Sequence, residues 1–129
     1  MKQRLLIVDD EPGIVDMMAS YFSSQYEVLT AYCGNEALQK LARQPDLILL
    51  DINMPKMDGF AVLEHMNQFR WIDEIPVIMI SSEETESYIR RAYEMGVSDY
   101  ISRPFDARVV YRRVYNLSLI HISEPTRPE

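Results

Sequence analysis

The stretch LILLDINMPKMDGF, residues 47–60, decides the fold of this chain. Its four leading apolar residues predict a strand that is buried on both faces. The strand runs directly into the carboxylate of Asp51, and the turn-forming pair Asp58-Gly59 follows before a helical pattern begins. A core strand that ends on an acid suggests that the sheet delivers Asp51 to a functional site.

On both sides of this stretch, four more short apolar runs alternate with helical patterns. We predict strands at 5–8, 27–31, 47–50, 77–80 and 99–102. We predict helices at 12–22, from a cap at Asn35 to about residue 42, at 59–69, at 84–95 and from Asp106 onward. Continuous apolar strands are typical of a parallel sheet covered on both faces, and right-handed crossovers restrict its topology. The predicted fold class is α/β: a doubly wound, five-stranded parallel sheet in the flavodoxin-like order 2-1-3-4-5.

Composition limits the classes of function. The chain has 129 residues, is 47% hydrophobic and carries a formal net charge of −7, which fits one acidic domain with a real core. The acidic balance argues against direct nucleic-acid binding, which usually needs a basic patch. The one cysteine excludes an internal disulfide, and no apolar run reaches the roughly 18 residues of a membrane span. We therefore expect a soluble, cytoplasmic protein without a signal peptide or a membrane partner.

Three acids follow two neighbouring strands of the predicted sheet. Asp9 and Asp10 follow the first strand, and Asp51 ends the third. Adjacent strands lie roughly 5 Å apart, so three carboxylates would share one edge and repel each other unless a cation intervened. Mg²⁺ prefers oxygen ligands and phosphate partners. The sequence therefore predicts a Mg²⁺ site at Asp9, Asp10 and Asp51.

Two further strand ends bring a hydroxyl and a cation to the same edge. Ser81 and Ser82 follow the fourth strand, and Arg103 follows the fifth. An aspartate with Mg²⁺, a hydroxyl and a cation suits phosphoryl transfer. In this interpretation Asp51 attacks phosphorus, Mg²⁺ and Arg103 neutralise the developing charge, and Ser81 donates a hydrogen bond to a phosphoryl oxygen.

The segments LIVDDE, LILLDINMPKMDGF, PVIMISS and DYISRPF resemble, in order and in spacing, the motifs of receiver domains of bacterial two-component response regulators. The resemblance covers residues 3 to about 116. It implies that Asp51 is the phosphoacceptor and that Asp9 and Asp10 hold Mg²⁺. It also implies that the backbone carbonyl of Asn53 completes the metal site.

The resemblance further implies a switch and shows two departures. Ser81 resembles the switch hydroxyl and Tyr100 the switch aromatic that turns inward on activation, while Phe105 supports a cis-proline turn at Pro104. Arg103 stands where the family normally has lysine, and Ser82 where it prefers alanine or glycine. The planar guanidinium is larger than a lysine ammonium, which bears on phosphorylation rate and signal coupling.

The partners that the resemblance implies are a sensor histidine kinase, as phosphoryl donor, and an output domain or downstream protein. The output partner reads the surface of the fourth helix, fifth strand and fifth helix, whose two packings shift in population on phosphorylation. A homodimer could form through the same surface. The chain is thus expected to be a signalling switch and not an enzyme.

Other interpretations stay open at this point. A pseudo-receiver would be a binding module that signals without phosphorylation, and the replacement of lysine by Arg103 favours it. A phosphohydrolase with an aspartate nucleophile needs a second acid two residues later, where this chain has Asn53. Asp9 and Asp10 could merely cap a helix, Arg103 could form a surface ion pair, and Tyr100 could be core filler.

The end of the chain changes character after Asn116. Residues 117–129, LSLIHISEPTRPE, contain two prolines in the last five positions and show no helix or strand pattern. They resemble the translation of a cloning or sequencing adapter. We assign residues 1–116 to the receiver domain, expect 117–129 to be a non-native or disordered tail, and exclude it from functional reasoning. The fifth helix could instead connect to an output domain.

Overall fold

The computed structural model of this chain describes residues 2–82 and 85–123. Within them, five strands alternate with five α-helices, and a short 3₁₀ helix at Trp71–Asp73 occupies part of a predicted loop. The elements are β1 (Arg4–Val8), α1 (Pro12–Phe22), β2 (Glu27–Ala31), α2 (Gly34–Leu41), β3 (Leu47–Asp51), α3 (Gly59–Gln68), β4 (Val77–Ser81), α4 (Glu86–Glu94), β5 (Asp99–Ser102) and α5 (Ala107–Ser123).

The strands form one parallel sheet in the order β2-β1-β3-β4-β5, which confirms the predicted topology. The register pairs Val8 with Leu50 across β1 and β3. It pairs Asp51 with Ile80 across β3 and β4, and Ser81 with Ser102 across β4 and β5. The carboxyl ends of β1, β3, β4 and β5 therefore lie at one edge of the sheet.

The core has two layers because successive strand side chains point to opposite faces. On one face, Leu6 and Val8 of β1 pack with the buried side chains of α2, α3 and α4. On the other, Leu5 and Ile7 pack with α1 and α5. All five positions of β3 are buried, which explains its continuous apolar sequence.

Helix boundaries follow local chemistry, with one correction. Pro12 opens α1, and Gly96, at φ 102°, lies just beyond the end of α4. The prediction that Asn35 caps the second helix is wrong, because Cys33 is the N-cap residue and the helix begins at Gly34. The side chain of Cys33 makes no capping hydrogen bond. Instead, the carboxylate of Glu36 accepts a hydrogen bond from the Tyr32 backbone N–H at 2.7 Å and stabilises the start of the helix. The predicted start of the fourth helix at Glu84 lies outside the described residues.

The last helix runs further than the sequence pattern predicted. It continues through residues 117–123, so the prediction that this segment has no helical structure is wrong. Ser118 is buried, where its hydroxyl lies 2.9 Å from the hydroxyl of Tyr26 and also bonds the carbonyl of Val114. The native or non-native origin of residues 117–129 stays a prediction, and 124–129 lie outside the described residues. In the described part of the chain, no helix has both the length and the apolarity to cross a membrane.

Candidate functional site

Three carboxylates meet where β1 and β3 end. One oxygen from each of Asp9, Asp10 and Asp51 lies within 4.8 Å of the others. Asp9 and Asp51 are buried, whereas Asp10 is more exposed. The parallel pairing of β1 with β3 produces this cluster directly, since Asp9 follows Val8 and Asp51 follows Leu50. The structure thus brings together the three acids that the sequence singled out.

Arg103 closes the cluster from the end of β5. Its Nη2 donates to Asp9 Oδ2 at 2.5 Å and lies 3.2 Å from Asp51 Oδ1. Burial lowers the pKa of Arg103, but its hydrogen bond to Asp9 and the charges of both acids outweigh burial and raise that pKa overall. Arg103 does form ion pairs, but its side chain is 18% exposed and its partners are two buried acids of the cluster.

Asp51 has an unusual electrostatic environment. Burial and then the charge of Asp9 raise its pKa to about 6, although Arg103 and the backbone N–H of Asn53 act in the opposite direction. That N–H donates to Asp51 Oδ1 at 3.2 Å. With 3% of its side chain exposed, Asp51 is a buried acid whose charge depends on the cations around it.

The two serines at the end of β4 converge on the side chain of Asn53. The hydroxyl of Ser81 donates to Asn53 Oδ1 at 3.2 Å, and that of Ser82 does so at 3.4 Å. Sequence reasoning assigned Asn53 a role through its backbone carbonyl alone and missed this side-chain contact. The spacing of Asn53 two residues after Asp51 could have suggested that the amide faces the next strand end.

The start of α3 packs directly beneath Asp51. A Cβ at Gly59 would lie 2.6 Å from the carbonyl oxygen of Asp51, so only glycine allows this approach. Asp58 caps the helix by accepting from the Ala61 N–H at 2.9 Å, which agrees with its interpretation as a turn residue. The supporting role of Gly59 was missed, because the sequence reveals a turn but not what the turn packs against.

Two other predicted residues lie beside the cluster and not within it. Tyr100 is in β5, opposite Met79 of β4, and its partly buried ring packs against the core layer that contains α4. Phe105 follows the cis Arg103-Pro104 peptide, and its ring centre lies 5.7 Å from the Arg103 guanidinium. An open, mostly apolar depression of about 490 Å³ adjoins Arg103 and is lined by Ile14, Met17, Ser82, Pro104 and Phe105.

The donor set suits a hard divalent cation. Three carboxylates with oxygens within 4.8 Å of one another offer the ligands that Mg²⁺ prefers, and the exposure of Asp10 leaves one side open to water and phosphate. The ligand assignment itself, including the carbonyl of Asn53, stays a prediction.

Sequence and structure comparisons agree with this geometry. Residues 5–115 match the family described as the response regulator receiver domain. The chain is 39% identical over 114 residues to the response regulator SaeR of Staphylococcus epidermidis, covering 88% of this chain and 49% of that protein. It is 37% identical over 116 residues to the alkaline phosphatase synthesis transcriptional regulatory protein PhoP of Bacillus subtilis, covering 88% and 48%. The chain therefore spans about half the length of these relatives.

Solved structures share the fold. A CheY-like response regulator receiver domain protein from Methanospirillum hungatei has a TM-score of 0.88 and 26% identity, with 96% of this chain and 99% of that chain covered. The beryllium-fluoride-activated DrrB receiver domain has a TM-score of 0.83 at 21% identity, covering 92% and 98%. The family match, the relatives and the sheet order agree: this chain belongs to the response regulator receiver domain family, whose members are signalling modules of two-component phosphorelays.

Proposed function

We propose that this chain is a Mg²⁺-dependent phosphoacceptor that takes a phosphoryl group from a sensor histidine kinase onto Asp51. The observation that carries the proposal is the position of Asp51. It is buried at the end of β3, in one carboxylate cluster with Asp9 and Asp10, and in contact with Arg103. A lone buried acid would be costly, whereas an acid between a cation site and a guanidinium suits attack on a phosphoryl group.

The transfer step uses the Asp51 carboxylate as nucleophile. An oxygen of Asp51 forms a bond to phosphorus while the bond from phosphorus to the donor imidazole nitrogen breaks, and that nitrogen keeps the electron pair and takes a proton. Bound Mg²⁺, held by Asp9, Asp10 and Asp51, would neutralise negative charge on the phosphoryl oxygens. Without a metal, burial and the charge of Asp9 raise the pKa of Asp51 to about 6, so bound Mg²⁺ would also favour the charged, nucleophilic form of this carboxylate.

Two groups of this chain are suited to act after the transfer. Arg103 already reaches Asp51 Oδ1 and can pair with a phosphoryl oxygen there. The Ser81 hydroxyl bonds Asn53 and would turn toward the new phosphoryl group, with Tyr100 moving in behind it. This coupling is a population shift that favours whichever packing binds the phosphoryl group better.

The output surface is proposed to be the face formed by α4, β5 and α5. It exposes Tyr93 of α4 and Val109 of α5, and an ion pair of 2.6 Å joins Asp99 of β5 to Arg113 of α5. We expect an output domain, a downstream protein or a second copy of the chain to bind this face in the cytoplasm. Light scattering with and without a beryllium fluoride complex tests the homodimer.

Intact mass after incubation with Mg²⁺ and acetyl phosphate tests the central proposal. We expect one added phosphoryl group in the wild-type chain, none without Mg²⁺ and none in Asp51→Asn. The matched control Asp58→Asn changes a nearby acid that only caps α3 and should keep the adduct.

A pseudo-receiver is the second candidate, and the contact of Arg103 with both Asp9 and Asp51 favours it, because one positive charge of this chain already offsets part of the negative charge of the acids. Absence of any adduct in the folded wild-type chain, together with failure to bind beryllium fluoride, would contradict the phosphoacceptor proposal and favour this alternative.

A further inference from the structure

Three tyrosines and one methionine form a continuous exposed strip along α1 and α5. The ring of Tyr21 meets that of Tyr111 edge to face at 5.8 Å, and Tyr111 stacks on Tyr115 at 6.4 Å. Met17 lies four residues before Tyr21, on the same side of α1. Met17, Tyr21 and Tyr115 are between 41% and 47% exposed. These four residues are called the α1–α5 strip, and none of them belongs to the acid cluster or to the α4–β5–α5 face.

The strip is held rigidly by the core beneath it. Tyr111 stacks on the fully buried ring of Phe22 with ring centres 5.3 Å apart, and Phe22 also contacts Tyr21 edge to face at 5.9 Å. Rigid tyrosine rings lose little conformational entropy when a partner covers them, and tyrosine is enriched at the cores of protein interfaces. The strip therefore has the composition and the rigidity of a surface that binds another protein chain.

The charges beside the strip suit a second copy of the same chain. Asp16 is the only charged residue of α1, whereas residues 107–117 of α5 carry three arginines and no acid. A two-fold axis through the strip brings the acidic helix of each copy to the basic helix of the other. Such local pairing offsets the repulsion between two chains that each carry a net charge of −7.

Two side chains beside the strip have the exposure that this pairing needs. Asp16 precedes Met17 on α1, Arg112 follows Tyr111 on α5, and both are exposed. Within residues 2–82 and 85–123, no ion pair joins either of them to another side chain. A contact between two copies would give each of these charges a partner.

We propose that two copies of this chain associate through the α1–α5 strip about a two-fold axis, with Asp16 of each copy near Arg112 of the partner subunit. This surface differs from the α4–β5–α5 face, which uses the other side of α5, and the association requires neither Mg²⁺ nor a phosphoryl group. Met17 also lines the depression beside Arg103. The association therefore covers part of that depression and restricts access to the acid cluster from this side.

Sedimentation equilibrium of the full chain at low salt, without Mg²⁺ or a phosphoryl donor, tests the proposal. We expect the average mass of the wild type to rise from that of a monomer toward that of a dimer as its concentration rises from micromolar to millimolar. Tyr115→Ser removes an exposed ring of the strip and should weaken association about tenfold or more. Val109→Ser is the matched control, because Val109 is similarly exposed on the other side of α5, and it should associate like the wild type.

Charge reversal tests the orientation of the two copies. Asp16→Arg and Arg112→Asp should each weaken association several-fold, because each substitution places like charges together across the two-fold axis. The variant that carries both substitutions restores opposite charges and should recover the association of the wild type. Failure of the double variant to recover would overturn the proposed pairing.

The remaining outcomes separate this proposal from the phosphoacceptor proposal. A wild-type chain that stays monomeric over the whole range overturns the association, and this result does not depend on the folding of any variant. Association that Tyr115→Ser leaves intact also overturns it, since the copies would then be using another face. Either result leaves the phosphoacceptor proposal standing, because Mg²⁺ and the phosphoryl donor are absent from the experiment.

Discussion

The helices α4 and α5 flank the same edge strand, β5, yet they are held by very different amounts of buried apolar surface. α5 buries Val110 and Val114 completely, and its Tyr111 stacks on Phe22 of α1 with ring centres 5.3 Å apart. α4 buries a single residue, Ala92. Since apolar burial dominates helix docking, α5 belongs to the scaffold, and α4 is the element that can shift at the least cost.

Besides the burial of Ala92, an aromatic residue of α3, Phe60, contacts two side chains of α4. The Phe60 ring lies between Tyr88, at 5.7 Å in an edge-to-face arrangement, and the guanidinium of Arg91, at 4.1 Å. Phe60 follows Gly59, which packs against the Asp51 carbonyl. The weak attachment of α4 is therefore connected, through two consecutive residues of α3, to the site where we propose phosphorylation.

The largest loss of stability is expected when the aromatic ring that packs against α5 is removed. Phe22→Ala deletes a fully buried ring that contacts Tyr26 and Tyr111 and should lower the free energy of unfolding by about 3–5 kcal/mol. Urea unfolding followed by circular dichroism measures it. Phe69→Ala, where the ring is 57% exposed, is the matched control and should cost about 0.5 kcal/mol or less. Equal losses in the two variants would contradict the role assigned to Phe22.

Native-state hydrogen exchange should separate the two helices directly. We expect the α5 amides near Val114 to exchange only by global unfolding. The α4 amides near Ala92 should exchange through a local opening on the order of 2 kcal/mol less costly, because α4 buries one side chain. Equal protection of both helices would contradict the view of α4 as the mobile element.

Sequence patterns predicted those parts of the site whose positions depend on strand order. The acids at 9, 10 and 51 converge because continuous apolar strands imply a parallel sheet, and a parallel sheet gathers the carboxyl ends of its strands. The position of a residue at a strand end depends only on the backbone. That is why Ser81 and Arg103 were also expected at the correct edge.

What the sequence could not predict depends on side-chain conformation and tertiary packing. The double contact of Arg103 with Asp9 and Asp51 depends on one rotamer of a long side chain. The same is true of the Asn53 amide that accepts from Ser81. The continuation of α5 past Asn116 brings Ser118 to Tyr26, and this contact forms only once the connection between α1 and β2 packs against α5.

Two matched tyrosine variants test the comparison between α4 and α5, and each aromatic contact that they remove should contribute about 1 kcal/mol. Tyr88→Ala removes an edge-to-face contact with Phe60, and Tyr111→Ala removes a stacked contact with Phe22. Each contact should contribute about 0.5–1.5 kcal/mol beyond the area it buries. We expect the Tyr88 variant to lower mainly the local opening free energy of α4 and the Tyr111 variant to lower global stability. Hydrogen exchange and urea unfolding on both variants measure the two quantities, and a global loss from Tyr88→Ala would contradict the assignment.

The smallest expected effect concerns the exposed surface of α4. Glu86 and Arg90 pair at 2.8 Å, one helical turn apart, with side chains that are 86% and 63% exposed. Glu86→Gln should weaken α4 by about 0.3–0.5 kcal/mol, as such pairs do in isolated helices. Because α4 has so little buried surface, we expect the loss to be detectable in exchange of its amides but not in thermal unfolding of the whole chain. About 1 M NaCl should remove the difference by screening the pair. A difference that survives high salt would mean that Glu86 stabilises α4 through something other than its charge.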